Sequence, residues 1–165
     1  MRKIYRILGM VLFLAVGVLP NVASASREGG ILARGGFGLA LNPPVRVDAQ
    51  LEGEYFWKEF LSVGLDMDFL FRGPTNFVFT PFARYYFDLD KHPLLLPYVG
   101  GGVGVSVNTN GNGALDLMVP NVGFKYTLIE DRLYVGSDAS THLVTNFNNT
   151  SWDFRILLGT LSYRF

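Results

Sequence analysis

The chain ends on a run in which apolar and polar residues alternate. One side of the run carries the positions Leu157, Gly159, Leu161, Tyr163 and Phe165. The other side carries Leu158, Thr160, Ser162 and Arg164. Because successive side chains of a strand point to opposite faces, this pattern predicts a strand with one apolar face and one polar face. The same alternation recurs along the chain and favours an all-β fold.

The first 25 residues have the features of a cleaved secretory signal peptide. Arg2, Lys3 and Arg6 precede an almost unbroken apolar run over residues 7–19, and Ala23-Ser24-Ala25 supplies the small-x-small cleavage pattern. A helix needs roughly 20 apolar residues to span a bilayer, so this run is too short for that. An uncleaved membrane anchor is the alternative reading. We expect a leader over residues 1–25 and one exported domain over residues 26–165.

Charge and cysteine content exclude several classes of function. The leader holds three of the 14 basic residues and none of the 14 acidic ones, which leaves the exported domain with a net charge of −3. A mildly acidic chain without a basic stripe makes nucleic acid an unfavourable partner. The sequence has no cysteine, so thiol chemistry and cysteine metal sites are excluded. We expect no metal and no cofactor.

Eight alternating runs follow the leader, separated by short segments rich in turn-forming residues. The predicted strands are 31–41, 45–57, 61–71, 77–87, 97–107, 115–128, 133–144 and 152–165. Asn110-Gly111 between two such runs is a strong hairpin signal. Eight is an even number, as single-chain bacterial barrels require. The sequence therefore predicts an eight-stranded antiparallel up-and-down transmembrane β-barrel.

The polar faces of the strands are predicted to point inward and the apolar faces toward lipid. The polar faces combine charges with small residues, which suits the narrow interior of an eight-stranded barrel. These small residues are Gly64, Gly100, Gly102, Gly104, Gly136, Ser106, Ser140 and Ser162. Aromatic residues lie at the ends of the apolar faces, as in the interfacial girdles of membrane barrels: Tyr55, Trp57, Phe69, Phe71, Tyr85, Phe87, Tyr163 and Phe165. A soluble, lipocalin-like barrel with the faces reversed is the alternative.

Three segments resemble small OmpA-like and OmpW-like outer-membrane proteins. They are Pro97 to Gly104, Thr80 to Phe87 and Val122 to Tyr126. The resemblance implies a bacterial outer-membrane location and contact with membrane lipid and lipopolysaccharide. It also implies that the barrel-assembly machinery reads Tyr163 and Phe165 as an assembly signal. The expected function is a non-enzymatic structural or envelope role, with a small channel or carrier for ions or apolar solutes as the alternative.

The predicted interior collects five basic and six acidic side chains. They are Arg34, Arg46, Arg84, Lys125 and Arg164, with Asp48, Glu52, Glu54, Asp66, Asp68 and Asp138. Because unpaired charge is costly in so narrow a space, these groups are expected to form an ion-paired plug. The alternative is a gated path for water or small ions, in which a pair such as Glu52 with Arg84 opens.

A lipid A-modifying enzyme is a less favoured possibility. One family of eight-stranded deacylases places a His and a Ser two residues apart on a late strand, and here Val144 occupies the position two residues after His142 where that Ser would lie. Ser140 and Asp138 share a strand face with His142 at steps of about 6–7 Å. A nucleophile and its base need a hydrogen bond of roughly 2.6–3.2 Å, so we expect a lumenal polar His142 and no catalytic residues.

Overall fold

The computed structural model describes residues 27–71, 75–89, 94–129 and 132–165. The predicted signal peptide lies outside these residues. In the described part of the chain, no helix is long and apolar enough to cross a membrane.

The described residues form eight strands that close into a barrel. The strands are β1 (Ile31–Ala40), β2 (Arg46–Lys58), β3 (Leu61–Phe71), β4 (Asn76–Tyr86), β5 (Leu95–Asn108), β6 (Gly113–Ile129), β7 (Leu133–Thr145) and β8 (Thr150–Arg164). Each strand pairs antiparallel with its neighbours in sequence, and β1 pairs with β8 to close the barrel. The predicted fold is confirmed, and every predicted strand boundary lies within two residues of the observed one.

The two ends of the barrel differ in their connections. At the end that we call the turn end, β1 joins β2, β3 joins β4, β5 joins β6 and β7 joins β8. The opposite end, the terminal end, holds the start of β1 and the end of β8. There the backbone N–H of Phe165 donates to the carbonyl of Ile31 at 2.9 Å. The barrel axis runs from the terminal end to the turn end.

The apolar faces lie outside and the polar faces inside, as predicted. On β2, Leu51 and Trp57 are about half exposed or more, whereas Glu52 and Glu54 are buried. A soluble barrel would reverse this arrangement, because its charged residues would face water. Since a bilayer core offers no water to hydrogen-bond the backbone, closure of the sheet and an apolar outer wall are what a membrane-spanning barrel requires. The lipocalin-like alternative is therefore wrong.

Aromatic side chains gather near both ends of the outer wall. Near the terminal end, Tyr85 and Phe87 pack edge to face with centroids 5.2 Å apart, and Tyr163 and Phe165 do the same at 5.2 Å. Near the turn end, Phe69 of β3 packs edge to face against Phe77 of β4 at 5.7 Å. Amphipathic and aromatic rings at these depths are typical of membrane–water interfaces.

Two irregularities reverse the alternation within a strand. The pairing of β8 shifts against both β1 and β7, so Leu157 points inward and is 2% exposed, while Leu158 points outward and is 69% exposed. The prediction that Leu157 faces outward and Leu158 inward is therefore wrong. On β6, the pairing shifts between Met118 and Asn121. A β-bulge inserts one extra residue, and every residue beyond it changes face.

Candidate functional site: the charged lumen

The centre of the lumen is a chain of buried ion pairs. Glu52 of β2 accepts a hydrogen bond from Nη1 of Arg84 at 2.6 Å and pairs with Nη2 of Arg34 at 2.7 Å. The next acid on β2, Glu54, pairs with Lys125 of β6. Strands β1, β2, β4 and β6 thus meet across the interior through side chains that are all buried. The predicted lumenal residues of this network all lie inside the barrel: Arg34, Glu52, Glu54, Arg84 and Lys125.

Uncharged polar groups add hydrogen bonds to the chain of ion pairs. Tyr98 accepts from Nη1 of Arg34 at 2.8 Å and donates to Asp138 at 2.7 Å. Asn121 accepts from Nε of Arg84 at 2.8 Å. Because a buried charge is tolerated when it is both paired and hydrogen-bonded, these neutral partners are part of what holds the network in place. The sequence analysis did not single out either residue.

Gln50 links Arg34 of β1 to Asp66 of β3 inside the lumen. Its Oε1 accepts from Nη2 of Arg34 at 2.7 Å, and its Nε2 donates to Asp66 at 2.7 Å. A glutamine suits this position because it offers one acceptor and two donors. The ion-paired centre and Asp66 of β3 are therefore joined by direct contacts.

An apolar and aromatic cluster lies on the terminal side of the ion pairs. Its buried members are Leu32, Phe56, Tyr86, Leu96, Tyr98 and Tyr134. The rings of Tyr86 and Tyr98 lie 5.3 Å apart, and Phe56 packs on Tyr86 at the same separation. The cluster comes from five of the eight strands, so it crosses the lumen rather than lining one wall. Arg164, at the end of β8, is also buried on this side.

A second charged group near the turn end centres on Arg155, which the sequence analysis missed. Its guanidinium contacts three carboxylates: Asp68 at 2.5 Å, Asp116 at 3.3 Å and Asp153 at 3.3 Å. Arg46 adds a bond of 2.7 Å to Asp153 and is the predicted lumenal residue that stays partly exposed. Asp48, another predicted residue, is buried in the same half of the interior.

The missed residues lie beyond the two bulges. Counting back from Arg164 in strict alternation places Arg155 and Asp153 on the outer face, and counting back from Lys125 does the same for Asp116. The signals that would have located the bulges are Pro120, since proline inside a sheet is confined to edges and bulges, and Gly159 on β8. The structure adds one base and two acids to the predicted interior set.

The spacing argument against a Ser140–His142 contact is wrong. Ser140 Oγ lies 2.9 Å from His142 Nε2, because both side chains lean along the strand into the same part of the lumen. His142 Nδ1 lies 2.8 Å from Asp116 Oδ1 on the neighbouring strand, so the acid in contact with the histidine is Asp116 and not Asp138. Ser140, His142 and Asp116 form a continuous hydrogen-bonded set.

The lumen opens at the turn end into a cavity of about 390 Å³, which we call the turn-end cup. Asn76, Ser106 and Asn108 line its wall, and Arg46, Asp153 and Arg155 line it from the inner side of β2 and β8. Arg155 is the deepest of these on β8, because that strand starts at the turn end. The described residues contain no group of three or more His, Asp or Glu side chains placed to hold a metal ion.

Comparison with known proteins identifies the fold. No protein-family model matches the chain, and no curated protein does either. The N-terminal β-barrel domain of Pseudomonas aeruginosa OprF superposes with a TM-score of 0.63 at 15% identity, covering 84% of this chain and 98% of that domain. Neisserial surface protein A gives a TM-score of 0.58 at 12% identity, with 82% and 94% covered. The outer membrane protein OprG of Pseudomonas aeruginosa gives 0.57 at 13% identity, with 85% and 97% covered. The chain therefore has the eight-stranded transmembrane barrel fold of these small outer-membrane proteins.

Proposed function

We propose that this protein is an integral outer-membrane barrel with a structural or envelope role and a closed lumen. The observation that carries the proposal is the buried network at the centre of the barrel, in which Arg84 and Glu52 are bonded to each other and neither side chain is exposed. A path for solutes would need water at this level. Here side chains fill the space, and the apolar cluster that contains Phe56 and Tyr86 lies next to them on the terminal side.

The outer wall supports the membrane part of the proposal. Its strands carry apolar residues with aromatic rings near both ends, and the similar structures are outer-membrane proteins. Lipid and lipopolysaccharide would be the partners of this surface. Tyr163 and Phe165 are offered as the signal that the barrel-assembly machinery reads, and both rings lie together on the outside of the closing strand.

Conductance across a planar lipid bilayer tests the closed lumen. We expect the folded wild-type protein to give no steady conductance steps in concentrated salt. An Arg84→Ala, Glu52→Ala double variant removes both groups at the centre and serves as the comparison that opens space. Steady, reproducible wild-type steps that disappear when the protein is denatured would contradict the closed lumen and favour the small-channel alternative.

The envelope role has its own test in the native host. Deletion of the gene should increase uptake of a hydrophobic dye and sensitivity to detergent, and expression of the wild-type protein should restore both. A deletion strain with an unchanged envelope would contradict the structural role while leaving the fold untouched.

A further inference from the structure

We infer that Ser140, His142 and Asp116 form a serine nucleophile site that hydrolyses short-chain carboxylic esters entering through the turn-end cup. The inference goes beyond the structural role and does not depend on it. It rests on the contacts within the three residues, on which of them is least buried, and on the residues beside the serine.

The contacts have the order that activates a serine hydroxyl. Ser140 Oγ lies 2.9 Å from His142 Nε2, and His142 Nδ1 lies 2.8 Å from Asp116 Oδ1. With its Nδ1 proton donated to Asp116, the imidazole presents an unprotonated Nε2 that can accept the serine proton. Nucleophile, base and orienting acid each lie within the 2.6–3.2 Å range that proton transfer requires.

The three residues differ in how deeply they are buried, and the nucleophile is buried least. Ser140 retains 6% of its surface, whereas His142 and Asp116 retain 1% and 0%. All three residues are buried, and the nucleophile is the least buried of them. Asp116 is further held by Arg155, whose Nη2 lies 3.3 Å from its second carboxylate oxygen. This contact fixes the carboxylate that orients the histidine.

The neighbours of Ser140 supply donors for a developing negative charge. In the strand register, Asn121 of β6 lies directly opposite Ser140 on one side and Arg155 of β8 on the other. Side chains directly opposite in an antiparallel pair lie about 4.5–5.5 Å apart at Cβ. Asn121 accepts from Arg84 through Oδ1, which leaves its amide nitrogen as the donor end. An amide N–H beside the nucleophile is a group that stabilises an oxyanion.

The turn-end cup provides the route from outside. Arg155 lines the cup and pairs in register with Ser140, so an ester that enters the cup has to pass the Arg155 side chain to reach the serine. The cup, of about 390 Å³, is large enough for a small ester. The apolar cluster lies on the terminal side, so we expect the alcohol and acid products to return through the same opening.

The reaction would take place in two balanced steps. Ser140 Oγ forms a bond to the ester carbonyl carbon, its proton passes to His142 Nε2, and the carbon–oxygen bond to the alcohol breaks as the alcohol takes that proton. Water then gives a proton to His142 and its oxygen to the acyl carbon, which releases the carboxylic acid and restores the Ser140 hydroxyl. No oxidant, reductant or metal is needed.

A fluorophosphonate probe tests the nucleophile in the folded, full-length protein. Attack by Ser140 Oγ forms an oxygen–phosphorus bond and expels fluoride, which leaves a mass increase on the peptide that contains Ser140. We expect labelling of the wild type, none at this peptide in Ser140→Ala, and at least a 100-fold lower rate in His142→Gln, since a general base contributes about 10²–10⁴-fold. Ser162→Ala is the matched control, because Ser162 also faces the interior but pairs in register with Arg34 and Tyr134 and does not line the cup. Its labelling rate and its hydrolysis of p-nitrophenyl butyrate should equal those of the wild type.

Two results would overturn the inference: no labelling of wild-type Ser140, or a rate in His142→Gln equal to the wild-type rate. Should His142→Gln fail to fold, Asp116→Asn takes its place, and a rate within 3-fold of the wild type would equally overturn it. Access is measured separately with Ser140→Cys, the only thiol in an otherwise cysteine-free chain. A small water-soluble methanethiosulfonate should modify this thiol in the folded barrel, and complete protection would contradict the route through the cup.

Discussion

Nη1 of Arg84 on β4 donates to Oε1 of Glu52 on β2 across the lumen, at 2.6 Å, and both side chains are buried. The two strands are not neighbours, since β3 lies between them in the sheet. The pair therefore links two strands that are not paired in the sheet through the interior. Because Arg34 contacts the second oxygen of Glu52 at 2.7 Å, β1 joins the same carboxylate.

Removal of one partner from this pair should destabilise the barrel more than removal of both. Arg84→Met leaves the carboxylate of Glu52 buried with one cation fewer, so we expect a loss of about 3–5 kcal/mol in the free energy of unfolding. The Arg84→Met, Glu52→Leu double variant removes both charges and should lose less. Urea titration of the protein folded in lipid vesicles measures both values. A single variant within about 1 kcal/mol of the wild type would show that the pair is not structural.

Inward-facing glycines make room for the long charged side chains. A Cβ placed on Gly100 would lie 2.5 Å from the carbonyl oxygen of Ala83 and 2.6 Å from Cγ of Arg84. Gly100→Ala should therefore destabilise the fold by about 1–3 kcal/mol, because neither the backbone nor the tethered arginine can move far. Gly53→Ala is the control, since a Cβ there meets nothing within 4 Å. Equal stability of the two variants, in the same urea titration, would argue against tight packing around Arg84.

The sequence predicts the centre of the lumen well for a geometric reason. On β1, β2 and β4 the alternation runs unbroken through Arg34, Glu52 and Arg84, so counting positions assigns each residue to the correct face. The shift in register moves Arg155 and Asp116 to the inner face, and counting fails there. Contacts across the lumen cannot be predicted by counting positions along a strand. Which side chains meet depends on the closed three-dimensional wall, so neither Gln50 as a bridge nor the Ser140–His142 contact follows from position in a strand.

A labelling experiment with single cysteines tests the bulge on β8. Leu157 is 2% exposed and Leu158 is 69% exposed, so they lie on opposite sides of the wall. In vesicles, a lipid-soluble maleimide should modify Leu158→Cys readily and Leu157→Cys slowly, with mass spectrometry as the readout. Faster modification of Leu157→Cys would mean that the alternation counted from Phe165 continues unbroken and that Arg155 lies outside.

A charge on the lipid-facing surface should be costly in proportion to its depth. Leu51 lies near the middle of β2 and points outward. We expect Leu51→Arg to lose about 2–4 kcal/mol in the free energy of folding into vesicles, and Val45→Arg, just before β2 at the turn end, about 0–1 kcal/mol. The difference between the two variants is the informative quantity. Equal losses would indicate that this face does not contact a bilayer.

Electrophoretic mobility of the protein from washed outer membranes, before and after boiling, tests the central claim most directly. A closed barrel that spans the membrane keeps its compact form in detergent until it is heated. We therefore expect the protein in the outer-membrane fraction, with an unboiled band that moves differently from the boiled one. Recovery in the soluble periplasmic fraction, with one mobility under both conditions, would contradict the account of a transmembrane barrel with a charged interior.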